Sequence, residues 1–209
     1  MPTKRTQAAA TVGVAEHGNS AELVTLAPSG ELLDRRRIDL TRDLPTHPYH
    51  HEGSWAVGRY LNSSWARPIS LPDALALVER VREAAAVGAR DSLAALAATV
   101  KVPIACIAVR VCPKLPTTTE ERIADTRASN VADSVMYREA LATAAEARGW
   151  SVYWYDRDRV REDATAALGG KGLDAFLSAM GRSIGPPWQA KHKLAAAAAL
   201  AASAHPVRV

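Results

Sequence analysis

Two apolar segments constrain this fold more than anything else in the chain. Val102 to Val111 reads as a strand with Pro103 at its start, and Trp150 to Tyr155 reads as another, dense in aromatic side chains. Alternation along the second segment sends Trp150, Tyr153, Trp154 and Tyr155 to both sides of a sheet, which requires both sides to be covered. Helical patterns stand before and after these segments, so strands alternate with helices and an α/β domain follows. At 209 residues and 48% apolar content, the chain is long enough to bury the core of one domain, and neither disorder nor a disulfide-stapled miniprotein fits.

The remaining elements fall into place around these two. Residues 1–10 carry charge and small side chains without periodicity and read as a loose tail ahead of a single domain over 11–209. Thr11 to Glu16 is a strand ending in a carboxylate, closed by the turn signal His17-Gly18-Asn19-Ser20. Ala21 to Ala27 and Glu31 to Leu40, separated by Pro28-Ser29-Gly30, complete a three-stranded antiparallel meander. Residues 41–70 hold Pro45, Pro48 and Pro68 without sustained period and read as a long irregular excursion. Ser70 caps a helix running to about Val87, where Gly88 is expected to break it, and a second helical piece follows from Asp91 to about Thr99. Residues 112–129 read as a loop, and a helix capped near Asn130 runs to Arg148 and stops at Gly149. Helices are predicted from about Arg157 to Leu168, near Leu173 to Met180, and from Trp188 to Ala204, with Gly169-Gly170 and Gly185-Pro186-Pro187 as breakers.

Charge and cysteine usage narrow the function classes. The formal net charge is only +4, yet 20 of the 26 basic residues are Arg, whose planar fork suits phosphate and carboxylate. Genomic base composition produces the same bias, so it points to nucleic acid without deciding for it. Cys106 and Cys112 read as lying on one strand with side chains to the same face, too far apart to bridge, and so as free thiols. No apolar run of about 18 residues exists and the N-terminus lacks a secretory pattern, so a soluble cytoplasmic protein away from membranes is expected. No Gly-rich phosphate loop, Ser-His-Asp order or paired-cysteine zinc motif is present.

The second half of the chain carries a family resemblance. Ala132-Asp133-Ser134-Val135, the helix to Arg148-Gly149, the following strand, Arg159-Val160-Arg161, Gly169-Gly170-Lys171 and the closing run His192-Lys193-Leu194 through Ala201 are similar to the RuvC-type Holliday junction resolvases. Val12-Gly13-Val14-Ala15-Glu16-His17-Gly18 resembles that family's first strand, which ends in Asp-x-Gly, with one more residue between the glycine and the acid. In element order the resemblance spans residues 11 to 203. It implies an RNase H-like fold, a mixed five-stranded sheet flanked by helices. It also implies a Mg²⁺- or Mn²⁺-dependent nuclease acting on branched or structured DNA, working as a homodimer.

Two-metal phosphodiester hydrolysis needs several acceptor-only ligands converging on two ions about 3.5–4 Å apart, and carboxylates are the natural ligands for such hard cations. The resemblance places Glu16 as a first-strand ligand and His192 on the last helix as a ligand or general acid/base. It also exposes two departures: Arg110 stands where the family keeps a Glu, and the last helix offers Gln189, Lys191, His192 and Lys193 in place of acids. Further ligands would have to come from Glu120, Glu121, Asp125 or Glu139. Arg110, Arg122, Arg127, Lys191 and Lys193 are the candidate nucleic-acid contacts, with the Arg35-Arg36-Arg37 run beside them, and each reads equally as solvated surface. The alternative function is a catalytically degenerate module of the same fold that binds nucleic acid or a protein partner, with Arg110 paired to Glu16 where a metal would sit.

Two further clusters stand out. His47-Pro48-Tyr49-His50-His51-Glu52 holds transition-metal ligand types without a recognised spacing, so a loop with exposed histidines is the expected outcome. Trp55, Tyr60 and Trp65 lie near Arg59 and Arg67, a mixture that suits either loop packing or single-strand stacking.

Overall fold

The structure, a computed structural model, describes residues 9–53 and 69–205, with the backbone alone over 51–53. β1 (Ala10–His17), β2 (Ser20–Leu26) and β3 (Leu32–Asp39) form the expected meander, and β4 (Ile104–Arg110) and β5 (Ser151–Tyr155) extend the sheet. The strand order is β3-β2-β1-β4-β5. β2 lies antiparallel to both β1 and β3, whereas β1, β4 and β5 run parallel. This is the mixed five-stranded sheet, covered by helices on both faces, that the resemblance implies. The β1–β2 turn is as tight as the sequence implies, with Gly18 at φ 54° and the Asn19 amide donating to the Thr41 carbonyl.

Helices α1 (Leu71–Thr99), α2 (Thr119–Ala124) and α3 (Thr126–Glu146) cover one face. Their core includes Val12, Val14, Leu23, Ile107 and Val109 from the sheet. Helices α4 (Val160–Ala167), α5 (Leu173–Ile184) and α6 (Ala190–Ser203) cover the other, where Ala15, Val24, Leu26, Cys106, Ala108 and Tyr155 line a second core. Among the described residues no helix is long and apolar enough to cross a membrane.

Two glycines explain how the helices approach. A Cβ on Gly13 of β1 would stand 1.8 Å from the Ala195 carbonyl oxygen, so the α6 backbone rests directly on the strand. Ala195 to Ala199 are fully buried there, and the alanine run is what a helix at this distance can accommodate. Gly88 does the same for α1: a Cβ there would stand 2.1 Å from the Leu40 carbonyl oxygen. The expected break at Gly88 is therefore absent and α1 runs unbroken to Thr99. An interior glycine costs a helix only about 1 kcal/mol relative to alanine, less than the contact it permits.

Other boundaries also move. Residues 112–129 are not a plain loop, because Thr118 and Glu121 form a reciprocal capping box that starts α2. Asp125, not Asn130, then caps α3 by accepting from the Ala128 N–H at 2.7 Å. In β4 the register slips between Ala10↔Ile104 and Thr11↔Cys106, which carries Ile104 to the opposite core from Cys106 and Ala108. Cys112 lies past the strand end and does not extend that face.

Replacing Gly13 with Ala is expected to destabilise the protein by about 1–3 kcal/mol or more, because neither backbone can give way without the other. Urea unfolding of Gly13→Ala checks this, and a surface Gly170→Ala control, with open space around its Cβ, reports the backbone effect of φ 79° alone.

Candidate functional site

Open α/β sheets place their ligands beyond the carboxyl ends of parallel strands, which here means the ends of β1, β4 and β5. β1 and β4 stay paired only as far as Gly13↔Ala108. Past that point the Tyr155 hydroxyl donates to the Val14 carbonyl at 2.8 Å, reaching from β5 across the small side chain of Ala108. Burial pushes the Tyr155 phenol well above its ordinary range, and the Glu16 carboxylate pushes the same way against Arg110, Arg138 and Arg157.

Glu16 is held at this edge by an arginine. Val12 and Val14 face the core under α1 and α3, and alternation turns Glu16 to that same side. There Arg138 of α3 donates from Nε to Glu16 Oε1 at 2.7 Å, and its Nη2 lies 2.6 Å from the same oxygen. Both side chains are only 7% exposed. Arg138 Nη1 donates to the Val111 carbonyl at 3.0 Å, so one guanidinium ties the end of β1 to the segment that follows β4. The arginine partner anticipated for Glu16 was Arg110; the structure supplies Arg138 instead, because Arg110 ends β4 on the Cys106/Ala108 side. Cys112 sits beside this pair: burial pushes its thiol up, and the charge of Arg138 pulls it back.

His192 belongs to a different place. α6 lies on the opposite face of the sheet, over Gly13 and the second core. The His192 ring is buried, its Nδ1 accepts from the Gln189 N–H at 3.0 Å, and the Trp188 indole stacks on it at 5.7 Å. Its Nε2 then carries the proton and faces Glu22 Oε2 at 3.3 Å. The structure does not bring Glu16 and His192 together; it pairs each with another residue on opposite sides of the sheet. Glu22 was missed, although its alternation with Val24 and Leu26 marks it as an acid on an inward face. Arg138 was missed as one polar residue in a helix; the signal was its place between Tyr137 and Ala140 in a helix buried almost all round.

The other candidate ligands are occupied or dispersed. The Glu121 carboxylate accepts from the Thr118 N–H at 3.1 Å, which holds it below the usual carboxylate range, and Asp125 caps α3. Glu120 and Glu139 are exposed. Among the described residues no group of three His, Cys, Asp or Glu side chains is arranged to hold a metal. The 47–52 cluster is not an exposed loop: Pro48–Gly53 forms a π-helical turn with Tyr49 fully buried. Buried Asp133 of α3 accepts from the Tyr49 N–H at 2.9 Å and the His50 N–H at 3.3 Å, and lies 3.6 Å from His47 Nδ1. Trp55, Arg59, Tyr60, Trp65 and Arg67, with the side chains of His51 and Glu52, lie outside the described residues.

The cationic candidates divide in the same way. Arg122 donates from Nε to the Pro116 carbonyl at 2.8 Å and fastens the 111–118 segment. Arg127 and Lys114 are exposed on the rim of a cleft of about 390 Å³ beyond β4, floored by Leu115, Pro116 and Ala128. Lys191 and Lys193 are half-buried in the first turn of α6, which has no acid.

No known protein family pattern matches the chain, and no curated protein matches it in sequence. Solved structures similar to it include Thermus thermophilus RuvC in complex with a Holliday junction substrate, at 14% identity and a TM-score of 0.48, covering 92% of this chain and 91% of that one. A second structure of Thermus thermophilus RuvC is similar at 14% identity and a TM-score of 0.44, covering 92% of each chain. Identity this low records a remote likeness in fold.

Arg138→Ala is expected to cost about 3–5 kcal/mol by leaving Glu16 buried and unpaired, whereas the double change Glu16→Leu with Arg138→Leu should lie far closer to the parent. A double-mutant cycle in urea measures both. Tyr155 gives a pH signature: its phenol is raised in the folded state, so its contribution is complete below the ordinary tyrosine value near 10 and is lost as pH climbs past it. Stability measured from pH 8 to 11 should fall less steeply in Tyr155→Phe than in the parent.

Proposed function

We propose that this chain is a nucleic-acid-binding module on a nuclease-like fold, holding structured DNA along the carboxyl edge of β1, β4 and β5. The observation that carries this reading is a set of cations without carboxylate partners among the described residues: Arg110, Lys114, Arg127, Lys191 and Lys193. Lys191 and Lys193 stand at the positive end of the α6 dipole, where a cation is unfavourable by about 0.3–1 kcal/mol and an anion is favoured. A phosphate arriving there meets the helix end with a lysine on either side of it.

The residues present do not fit a two-ion centre built on Glu16 and His192. They lie on opposite faces of the sheet, and a dication at Glu16 would have to displace Arg138 from it. Cleavage with Mg²⁺ or Mn²⁺ is therefore the second reading. Its support is Glu22, which joins His192 near the start of α6 beside Ala15, the strand residue that faces this helix. The family resemblance also implies a homodimer, and this proposal carries it together with the cytoplasmic location expected from the sequence.

The test pairs binding with cutting, using four-way junctions, forks, single strands and RNA–DNA hybrids. Binding is expected for at least one substrate, with Arg110→Ala and Arg127→Ala each lowering affinity and reducing the salt slope by about 1 per lost phosphate contact. No cutting is expected with either metal. Cleavage abolished by Glu22→Gln would replace this reading with the second, and a protein that neither binds nor cuts any of these substrates would sink both.

A further inference from the structure

β3 is the terminal strand of the sheet, and among the described residues nothing pairs with its outer edge. Such an edge presents a row of backbone donors and acceptors ready to accept another strand. Alongside it runs α1. Gly88 touches the Leu40 backbone, and from there the helix passes along β3 above two adjoining clefts of about 510 and 460 Å³. The clefts share Asp39, Arg42 and Ser92, so they form one groove with the strand as one wall and Ala84, Val87, Gly88, Asp91, Ser92 and Ala95 of α1 as the other. An exposed strand edge with a groove beside it is the geometry that accepts an extended peptide by strand addition.

The side chains of β3 specify what that peptide would carry. Arg35 pairs with Val24 and Arg37 with Glu22, which places both guanidinium groups on the α6 side of the sheet. Arg36 and Ile38 pair with Leu23 and Ala21 and face α1. Asp34 already holds Arg36 through two contacts of 2.7 Å, whereas Arg37 is 60% exposed and only loosely matched to Asp39 at 3.5 Å. Arg35 donates to the carbonyls of Gly185 and Pro187, which leaves its charge uncompensated. An added strand thus meets Arg35 and Arg37, with Asp39 beside them, on one face, and Ile38 beside the Asp34–Arg36 pair and the helix wall on the other. A second copy of β3 is a poor fit: paired over its whole length, it sets Arg35 against Arg36 at both central positions. Asp34 against Arg37 would relieve this only in part, since Arg36 holds that carboxylate.

We propose that the β3 edge and the α1 wall form a docking groove for an extended acidic segment of a partner protein. The segment adds as a sixth strand, its acidic residues beside Arg35 and Arg37 and its alternate apolar residues toward α1. Arg35 and Arg37 also border a cleft of about 320 Å³ shared with Gln189 and His192 at the start of α6, so the test carries an oligothymidine arm that tells this reading from the nucleic-acid one.

The probe is a fluorescein-labelled peptide of four Glu-Val repeats, added to the full chain, with a Lys-Val peptide and an oligothymidine of similar length as controls. The Glu-Val peptide should bind and should slow hydrogen exchange of the β3 amides. Ala95→Glu narrows the groove from an exposed helix position and adds a like charge, and Arg37→Glu reverses the cation; each should weaken binding by about tenfold or more. Unchanged thermal melting of Ala95→Glu keeps that loss distinct from unfolding. Equal binding of the Lys-Val peptide, binding without protection of β3, or binding indifferent to both substitutions overturns the proposal. So does an oligothymidine that alone binds and alone responds to Arg37→Glu, which would make the edge a nucleic-acid contact.

Discussion

The contact of α6 on β1 is the constraint on which the second layer of this molecule depends. At Gly13 the helix backbone meets the strand backbone with no side chain between them. That closeness requires alanine along the inner surface of α6, and the fully buried run from Ala195 to Ala199 follows from it. It also fixes where α6 begins, over Glu22 and near the end of β1. The position of His192, Lys191 and Lys193 is therefore a consequence of packing.

The sheet keeps two carboxylates apart and gives each its own partner. Glu16 meets Arg138 under α3, and Glu22 meets His192 under α6. A buried carboxylate without a partner is expensive, so each pairing stabilises its own side of the sheet relative to a structure with one partner missing. The rim beyond the strands carries Arg110, Lys114 and Arg127 together with the exposed Asp156 and Asp158 that follow β5. A carboxylate already held by a guanidinium, as Glu16 is, is unattractive to a dication.

Much of this was legible in the sequence, and what was not has a physical cause. All five strands followed from apolar runs, alternation and turn residues, because a strand covered on both faces reads as a continuous apolar run and one covered on a single face alternates. Gly88 misled because a glycine that breaks a helix and a glycine that lets a helix touch another backbone look the same without the Leu40 carbonyl in view. The Thr118–Glu121 box was there to be read, yet the polar composition around it argued for a loop. Glu16 was recognised as a carboxylate that ends an apolar strand, and an arginine partner was anticipated for it. Choosing Arg138 over Arg110 required knowing that the register of β4 slips at Ile104 and that α3 crosses the end of β1.

Arg138 also resolves a mechanical problem that the topology creates. Parallel pairing of β1 with β4 ends at Gly13↔Ala108, and the two chains then leave in different directions, β1 into its turn and β4 into the 111–118 segment. Something must span the opening, or the carbonyls and the carboxylate at its lip lose their partners. Tyr155 reaches across it from the α6 side to the Val14 carbonyl, and Arg138 reaches from the α3 side to Glu16 and Val111. A guanidinium suits this task because its donors diverge in a plane, so one side chain can satisfy a carboxylate and a carbonyl together. The opening is thus closed from both faces by residues of the chain itself, and a ligand arriving at this edge meets a surface that is already organised.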